Sequence, residues 1–308
     1  MNHFKKKRPQ RKGLKNQLEL QSMVWPGLIF LFVFCYIPMY GIVIAFKDFN
    51  IFSGINESAW VGFKFFKQFL TDPKLMQVVG NTLGINVLGL IIGFPLPIIL
   101  AIQITELHNA KFRKAAQTIS YLPHFLSWVI FGGIVIELLS SSGIINKLFN
   151  LFGFVDGNVN FLANPKYFYL IFVLVSTIKG LGYGSILYIS AITGVDQDMY
   201  EAAVIDGANR FQKIRYITIP AIMGTIVIML IFQISSVLNT GFEQVLIFQN
   251  TLNISASETI DTYVYKIGMS QQRYSYSTAV GLLKSIIAII LLVGANKISK
   301  AITDKGLF

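Results

Sequence analysis

Six long apolar segments dominate this sequence of 308 residues. They cover approximately residues 24–46, 78–104, 117–139, 167–192, 221–248 and 277–296. Each can cross a bilayer, because a membrane-spanning helix takes roughly 20 predominantly apolar residues. Only 13% of the residues are charged, whereas soluble domains average about 25%. We therefore predict an all-α membrane protein with six transmembrane helices in one domain, residues 23–308, after a basic tail of residues 1–22.

The basic N-terminus followed by an apolar run raises the alternative of a cleaved signal peptide. The run at residues 24–46 is longer than a signal core, which has about 7–15 apolar residues, and no Ala-x-Ala-like site follows it. The sequence therefore predicts a spanning helix that the protein retains.

The formal net charge of +11 is explained by membrane orientation rather than by a nucleic-acid partner, and none is expected. With the N-terminus in the cytoplasm, sixteen lysines and arginines fall on inner segments and eight on outer loops. The positive-inside rule favours this orientation, although most of the difference comes from the tail. An even number of spans then places both termini in the cytoplasm.

Two local patterns predict how the spans and loops pack. The aromatic segment GFKFFKQFL, residues 62–70, suits a short helix at the outer membrane interface with its apolar side in lipid, or equally a helix packed on the bundle. Glycine and proline interrupt several spans, at Pro26, Pro38, residues 93–97 and residues 180–184. These interruptions predict kinks or close helix contacts, since neighbouring helices must satisfy the freed backbone groups.

The sequence lacks the motifs that bind ATP or a catalytic metal. It contains no GxxxxGK[ST], no HExxH and no cluster of Cys and His, and its three histidines are scattered. One cysteine, Cys35, lies in the first apolar segment. We predict a chain that is not an enzyme and holds no cofactor or metal, so any uphill transport would draw on a partner protein or an ion gradient.

A polar segment at about residues 196–220 separates the fourth and fifth apolar segments. Asp198 suits the N-cap of a helix, with Glu201 at the third helical position to complete a capping box. Ala202 and Ala203 favour a helix and are small enough for a partner to approach the backbone closely. Gly207 suits the left-handed residue that ends this helix.

A second short helix is predicted to follow. Asn209 and Gln212 suit its cap, and Pro220 suits the first turn of the fifth span, where a missing N–H costs nothing. Its polar side carries Arg210, Lys213 and Arg215. The segment therefore predicts helix, tight turn and helix, with an ordinary amphipathic loop as the alternative.

Four charged residues fall within the predicted spans, where charge usually faces protein or water. They are Glu137, Lys179, Glu243 and Lys284. Glu137 and Lys284 lie near outer ends and are candidates to snorkel to the interface. Lys179 lies mid-span, which predicts contact with a substrate or an ion pair with Glu137.

Polar residues recur in the fifth span at spacings of three to four: Gln233, Ser236, Asn239 or Thr240, and Glu243. This spacing predicts a stripe on one helical face that lines a path for a solute rich in hydroxyls. Hydrogen bonding between helices is the alternative. The predicted substrate path comprises Lys179, Tyr183, Gln233, Ser236, Asn239 and Glu243.

The polar segment resembles the EAA loop of ABC importer permeases, EAA-x3-G-x9-I-x-L-P, through Glu201-Ala202-Ala203, Gly207 and residues 217–220, with Ile219 where Leu is usual. Asp206-Gly207-Ala208 matches the DGA of the carbohydrate branch. Other stretches resemble the maltose-type branch for oligosaccharides and polysaccharides: GIVIAFKDFN, WVGFKFFKQF, NTLGIN, GFPLPIILAIQITE and YLPHFLSWVI.

The resemblance implies a type I ABC importer permease fold in the bacterial plasma membrane. It also implies several partners: a second homologous permease, two cytoplasmic ATPase subunits that bind ATP and Mg, an extracellular substrate-binding lipoprotein, and a carbohydrate substrate. The loop would be a coupling helix that docks on an ATPase, and its implied coupling residues are Glu201, Ala202, Ala203, Asp206, Gly207 and Arg210.

Three other functions remain open from the sequence. An ion-driven secondary transporter would need no ATPase and would use Glu137, Lys179 and Glu243 as an ion relay. A membrane scaffold or sensor would transport nothing. An ABC importer for a solute other than sugar, such as a peptide or a lipid-linked compound, would keep the EAA loop.

Overall fold

The computed structural model describes residues 14–154 and 157–303. Within them, six helical stretches are long and apolar enough to cross a membrane: Gln21–Phe46, Leu75–Thr105, Trp128–Leu151, Pro165–Thr193, Arg210–Ser235 and Tyr274–Ala301, here spans 1 to 6. The predicted all-α fold with six membrane-spanning helices is confirmed. Most of the predicted basic tail, residues 1–13, lies outside the described residues, and the described part of the first helix is Leu14–Leu31.

Span 1 changes helix type along its length. An α-helix over Leu14–Leu31 passes into a π-helical turn at Phe32–Tyr36 and a 3-10 helix at Ile37–Phe46. The changes precede Pro38, which lacks the N–H that a regular helix needs. Nearly all its large apolar side chains are exposed, as expected for a helix whose surroundings are lipid or another subunit.

Span 2 is broken where the glycines and prolines predicted an interruption. It consists of helices Leu75–Ile92 and Pro95–Thr105. A Cβ atom on Gly93 would lie 2.7 Å from the carbonyl oxygen of Gly89 and 3.0 Å from Thr177 Oγ1 of span 4. Glycine therefore allows both the break and the close approach of span 4.

Span 3 begins later than the predicted residue 117. Residues 117–121 belong to an amphipathic helix, Ala110–Tyr121, which a 3-10 turn at Leu122–Phe125 separates from the spanning helix Trp128–Leu139 and its continuation Ile144–Leu151. The separation has two causes. Pro123 disfavours a continuous helix, and Ser127 accepts a hydrogen bond from the Ile130 N–H at 3.3 Å and so caps a new one.

Span 4 is one uninterrupted helix, Pro165–Thr193, despite its three clustered glycines. Gly182 is a contact point rather than a kink, because a Cβ atom there would clash with the carbonyl group of Ser120. The cluster therefore lets span 4 lie directly against the end of the helix Ala110–Tyr121.

Span 5 differs from its predicted range of 221–248 at both ends. Its helix begins at Arg210, ends at Ser235, and is followed by a separate short helix, Phe242–Phe248. Gly241 precedes that helix in the left-handed conformation, with φ at 72°. Such a conformation favours glycine and breaks the helical path.

The loop between spans 1 and 2 packs on span 6. It holds two-residue strands, Lys47–Asp48 paired antiparallel with Ala59–Trp60, and the helices Gly54–Glu57 and Lys64–Leu70. Phe65, Phe66 and Phe69 are buried in one apolar cluster with Tyr276 and Val280. Of the two alternatives for this aromatic segment, packing on the bundle is therefore the one observed for these three side chains.

The loop between spans 5 and 6 completes the same end of the bundle. It contains the helices Ile254–Ser257 and Ile260–Tyr265 and a π-helical turn, Lys266–Ser270, before the helix Tyr274–Thr303 of span 6. Glu258 is buried here, with Lys74 Nζ at 3.4 Å and Lys266 Nζ at 3.7 Å. The two lysines supply the countercharge that a buried carboxylate requires.

Candidate functional site: a polar loop and a cavity between spans 2, 4 and 5

The polar segment between spans 4 and 5 starts with the helix Gln197–Ile205. Its N-cap is Asp196, whose carboxylate accepts a hydrogen bond from the Asp198 N–H at 3.1 Å. The predicted cap at Asp198 is therefore wrong, since Asp198 lies in the first turn. Glu201 is consequently beyond the third helical position and makes no capping box, and its side chain is exposed.

Gly207 ends this helix, as predicted from the sequence. Its φ is 77°, and the Ala208 N–H donates to the Ala203 carbonyl oxygen at 2.8 Å. Asn209 and Gln212 cap the next helix, as predicted, and they do so as a capping box. The Asn209 N–H donates to Gln212 Oε1 at 2.7 Å, and the Gln212 N–H donates to Asn209 Oδ1 at 2.9 Å. A tight turn at Gly207 thus joins the two helices.

The second helix is not a separate element, contrary to prediction. It runs from Arg210 through a π-helical turn, Ile214–Thr218, directly into the helix Ile219–Ser235. Pro220 lies in the first turn of the α-helix Ile219–Ser235, as predicted, although the helical stretch as a whole begins earlier, at Arg210. The wider π turn just before it changes the hydrogen-bond register at the point where proline offers no donor.

The solvent-exposed surface of this loop combines apolar side chains with a carboxylate. Val204, Ile205 and Phe211 are large and exposed, Ile205 at 86%. Glu201 and Ala202 are also exposed, and they lie on the same short helix as Val204 and Ile205. An exposed apolar group of this kind on a short, well-capped helix is suited to binding another protein.

Two side-chain contacts hold the loop to the bundle. The Tyr200 hydroxyl lies 2.9 Å from Thr218 Oγ1, which belongs to the π turn of span 5. Arg210 Nε lies 2.8 Å from Glu106 Oε2 at the end of span 2. The predicted coupling residue Arg210 is therefore engaged within the chain.

A cavity of about 470 Å³ lies between spans 2, 4 and 5. Its polar lining consists of Asn86, Ser176, Thr177, Gln233, Asn239, Thr240 and Gln244, and its aromatic lining of Phe94, Trp128, Phe172 and Tyr188. None of the described lining residues is charged. Glycines also contribute backbone to the wall, at positions 89, 93, 180, 184 and 241.

Two of the six predicted path residues, Gln233 and Asn239, line this cavity. The expected continuous stripe is wrong, because the helix of span 5 ends at Ser235. Ser236 therefore follows the helix end, Glu243 lies on the next short helix with its side chain exposed, and neither is among the lining residues. Thr240, the predicted alternative to Asn239, also lines the cavity, and Gln244 takes the place expected for Glu243, because Gly241 redirects the chain.

The polar lining from spans 2 and 4 is not predicted from the sequence. Asn86, Ser176 and Thr177 lie within apolar segments of the sequence. Because they are uncharged, they do not stand out there as a lysine or glutamate would. The signal was present on span 4, where Thr177, Gly180 and Gly184 recur at spacings of three to four. Small residues at that spacing mark a helix face that approaches its neighbours closely.

Lys179 does not form the predicted ion pair with Glu137. Its Nζ donates to the carbonyl oxygens of His124 at 2.9 Å and Pro123 at 3.3 Å, and lies over the ring of Trp128 at 5.1 Å. It is not among the residues that line the cavity. The ammonium thus binds the turn before span 3.

Tyr183 and Lys284 also have partners that the sequence did not identify. Tyr183 stacks on His124, with ring centroids 3.9 Å apart, and is not among the lining residues. Lys284 makes an ion pair with Asp261 at the start of the helix Ile260–Tyr265. An ion pair, rather than snorkelling, therefore accommodates this span charge.

Comparison with known protein families and sequences gives matches over most of the chain. The family described as binding-protein-dependent transport system inner membrane component matches residues 93–304. Protein LplB of Bacillus subtilis (strain 168) is 43% identical over 297 residues, covering 96% of this chain and 93% of the relative. The polygalacturonan/rhamnogalacturonan transport system permease protein YteP of the same organism is 42% identical over 308 residues, covering 99% and 95%.

Solved structures match the fold along nearly the whole chain. A chain from the crystal structure of a bacterial alginate ABC transporter in complex with an alginate pentasaccharide-bound periplasmic protein gives a TM-score of 0.86 at 34% identity. The match covers 97% of this chain and 100% of that one. A second structure, of a bacterial ABC transporter involved in the import of the acidic polysaccharide alginate, gives a TM-score of 0.85 at 35% identity.

Proposed function

Since the chain belongs to the family of binding-protein-dependent transport system inner membrane components, we propose that it carries an oligosaccharide or polysaccharide into the cell. It is a multi-pass, non-catalytic permease subunit of an ABC importer in the plasma membrane. The names of similar proteins support a carbohydrate substrate, since they refer to polygalacturonan, rhamnogalacturonan and alginate.

The cavity between spans 2, 4 and 5 is the observation that carries the proposal. Its volume of about 470 Å³ falls within the range of ordinary ligand sites, roughly 300–1,000 Å³. Amides such as those of Asn86, Gln233 and Asn239 donate and accept hydrogen bonds, as sugar hydroxyls require. Aromatic rings such as Trp128 add apolar surface with a polar edge. This uncharged mixture suits sugar units passing through the membrane.

The exposed loop around Glu201 is the proposed contact with a partner ATPase. In this proposal two ATPase subunits bind ATP and Mg, and their closure moves the docked loop. The residues Glu201, Ala202, Ala203, Asp206 and Gly207 supply fit and stiffness. The remaining partners are a second homologous permease and an external substrate-binding lipoprotein. In this arrangement both termini of the chain lie in the cytoplasm.

Purification with the co-expressed partners, followed by a sugar screen for stimulated ATP hydrolysis and vesicle uptake, tests the proposal. We expect one class of oligosaccharide or polysaccharide to stimulate both activities. Uptake that survives ATP depletion and collapses with the ion gradient would instead identify a secondary transporter. Stimulation by a peptide and by no carbohydrate would contradict the substrate class.

Two loop variants test the coupling role separately. Glu201→Arg reverses an exposed charge, and Gly207→Pro forbids the left-handed conformation with φ at 77°. Both are expected to abolish ATPase co-purification while the chain remains in the membrane. Glu57→Arg is the matched control, because Glu57 is an exposed glutamate in the loop between spans 1 and 2. Normal co-purification of both loop variants would refute the docking assignment.

A further inference from the structure

The ion pair between Glu106 and Arg210 joins two helix ends that the chain itself does not connect. Glu106 directly follows the helix Pro95–Thr105 of span 2, and its N–H donates to the Ile102 carbonyl oxygen at 3.1 Å. Arg210 is the first residue of the helix that continues as span 5. Its Nε lies 2.8 Å from Glu106 Oε2. The pair therefore links the N-terminal end of span 5 to the C-terminal end of span 2.

A second contact links the loop helix to span 5. Tyr200 lies within the helix Gln197–Ile205, and its hydroxyl is 2.9 Å from Thr218 Oγ1. Thr218 is buried, at 3% exposure, and closes the π turn that precedes Pro220. The loop helix is thus connected to span 5 by this contact as well as by the covalent chain.

Spans 2 and 5 both contribute to the cavity wall. Span 2 contributes Asn86, Phe94 and Pro97, and span 5 contributes Met229 and Gln233. Span 5 follows the loop directly, whereas span 2 has its side-chain link to the polar segment at Glu106. The shape of the cavity therefore depends on whether span 2 follows span 5.

The ion pair is too exposed to solvent to contribute much to the stability of the fold. The Arg210 side chain is 65% exposed and that of Glu106 is 25% exposed. Ion pairs this open to solvent contribute little to folding stability. Removing the charge of Glu106 should consequently leave the fold intact, so a functional loss would report on the mechanical link.

We propose that Glu106 is a positioning residue that makes span 2 move together with span 5 when the loop is displaced. The inference rests on the proposed function, because it assumes that an ATPase displaces the loop. It reassigns Arg210 from contact with the ATPase to a contact within the permease. The cavity then opens and closes as a unit, and ATP hydrolysis stays coupled to carbohydrate transfer.

Glu106→Gln tests the link because it removes one charge at nearly constant size. We expect normal ATPase co-purification and ATP hydrolysis, with carbohydrate uptake per ATP hydrolysed reduced about fivefold or more, the lower end of typical coupling effects. The double variant Glu106→Arg, Arg210→Glu restores the pair with reversed charges and should recover uptake. Asp48→Asn is the control, because it removes another exposed ion pair, Lys64–Asp48 at 3.2 Å, in the loop between spans 1 and 2.

Three results of these binding and uptake experiments would overturn the inference. Loss of ATPase co-purification in Glu106→Gln would place the pair in the docking surface. Unchanged uptake per ATP would show that no link is needed. Failure of the charge reversal to recover uptake, with normal expression and ATP hydrolysis, would show that the pairing itself is not what matters.

A distance measurement separates failure of this inference from failure of the proposed substrate. Spin labels at Ile99 and Phe232, exposed residues on spans 2 and 5, are introduced after Cys35→Ser. In the complete complex, ATP should leave their separation unchanged in the otherwise native chain and alter it in Glu106→Gln. An equal change in both would overturn the inference whatever solute is carried. A complex that shows the expected distances but imports no carbohydrate would refute only the substrate class.

Discussion

Lys179 Nζ lies 2.9 Å from the carbonyl oxygen of His124, and this contact binds span 4 to the turn that precedes span 3. The lysine is buried, at 7% exposure, among the rings of Trp128 and Phe131. A charge inside the membrane region is costly unless such partners are present. Its contact with the ring of Trp128, which lines the cavity, makes it a structural support of that wall.

Replacement of this lysine should destabilise the protein. In Lys179→Met the carbonyl groups of Pro123 and His124 lose their donor, which costs about 1–3 kcal/mol for a buried polar group left unsatisfied. Thermal unfolding in detergent measures the loss. Lys166→Met, at an exposed lysine near the start of the same helix, should have little effect. Equal stability of the two variants would contradict the structural role.

A methyl group at Gly182 should also be destabilising. A Cβ atom there meets the backbone of Ser120 and Tyr121, which cannot rotate away as a side chain can. Overpacking of this kind costs about 1–3 kcal/mol. Gly180→Ala, two residues away with nothing within 4 Å of its added carbon, is the control. We expect a lower unfolding temperature for Gly182→Ala alone, and unaltered stability would indicate that the helices can separate freely.

The hydrogen bonds around Asp72, in the loop between spans 1 and 2, should make stability fall in acid. Burial tends to raise the pKa of the Asp72 carboxyl, but hydrogen bonds from Tyr263, the Lys74 N–H and Tyr276 outweigh it and hold that pKa below its ordinary value of 3.8. A lowered folded-state pKa contributes stability above the unfolded pKa, and this is lost as the pH falls through the folded value. Asp72→Asn should therefore lower the unfolding temperature at neutral pH, with the difference shrinking below pH 3.8. A difference that stays constant with pH would contradict this.

The same cluster should lose stability at high pH. Burial, together with the hydrogen bond to Asp72, raises the pKa of Tyr263 from 10.0 to about 12. A raised folded-state pKa contributes stability that is complete below the unfolded pKa and is lost as the pH rises through the folded value. Unfolding temperatures between pH 10 and 12 should decline more steeply in the native chain than in Tyr263→Phe. Parallel declines would refute the assignment.

Cavity variants should affect transport without affecting assembly. Asn239→Leu and Gln233→Leu each remove an amide from the wall, and loss of one or two hydrogen bonds to a sugar lowers uptake about threefold to tenfold. Ser236→Ala is the control, since Ser236 was predicted to line the path but is not among the lining residues. Initial uptake rates at matched expression provide the measurement. A larger effect at Ser236 than at Asn239 would mean that the carbohydrate follows another route.

The prediction of six spans succeeded because apolar composition over about 20 residues is a property of the chain alone. Span 4 illustrates this, since the predicted range 167–192 lies within the observed helix Pro165–Thr193. The turn at Gly207 was equally local, because φ at 77° excludes most other residues from that position. The capping box of Asn209 and Gln212 depends only on neighbours three residues apart.

The tertiary structure decided where helices stop and which side chains meet. The predicted start of span 3 at residue 117 joined the end of the amphipathic helix Ala110–Tyr121 to the helix Trp128–Leu139, because apolar residues continue across the 3-10 turn at Leu122–Phe125 that separates them. Asn86 joins Gln233 in one wall only after spans 2 and 5 pack together. Lys179 binds backbone carbonyls, and Glu106 reaches Arg210, through contacts between distant parts of the chain. Local spacing specifies helices and turns, whereas the cavity and its link to the loop arise only when the spans are packed.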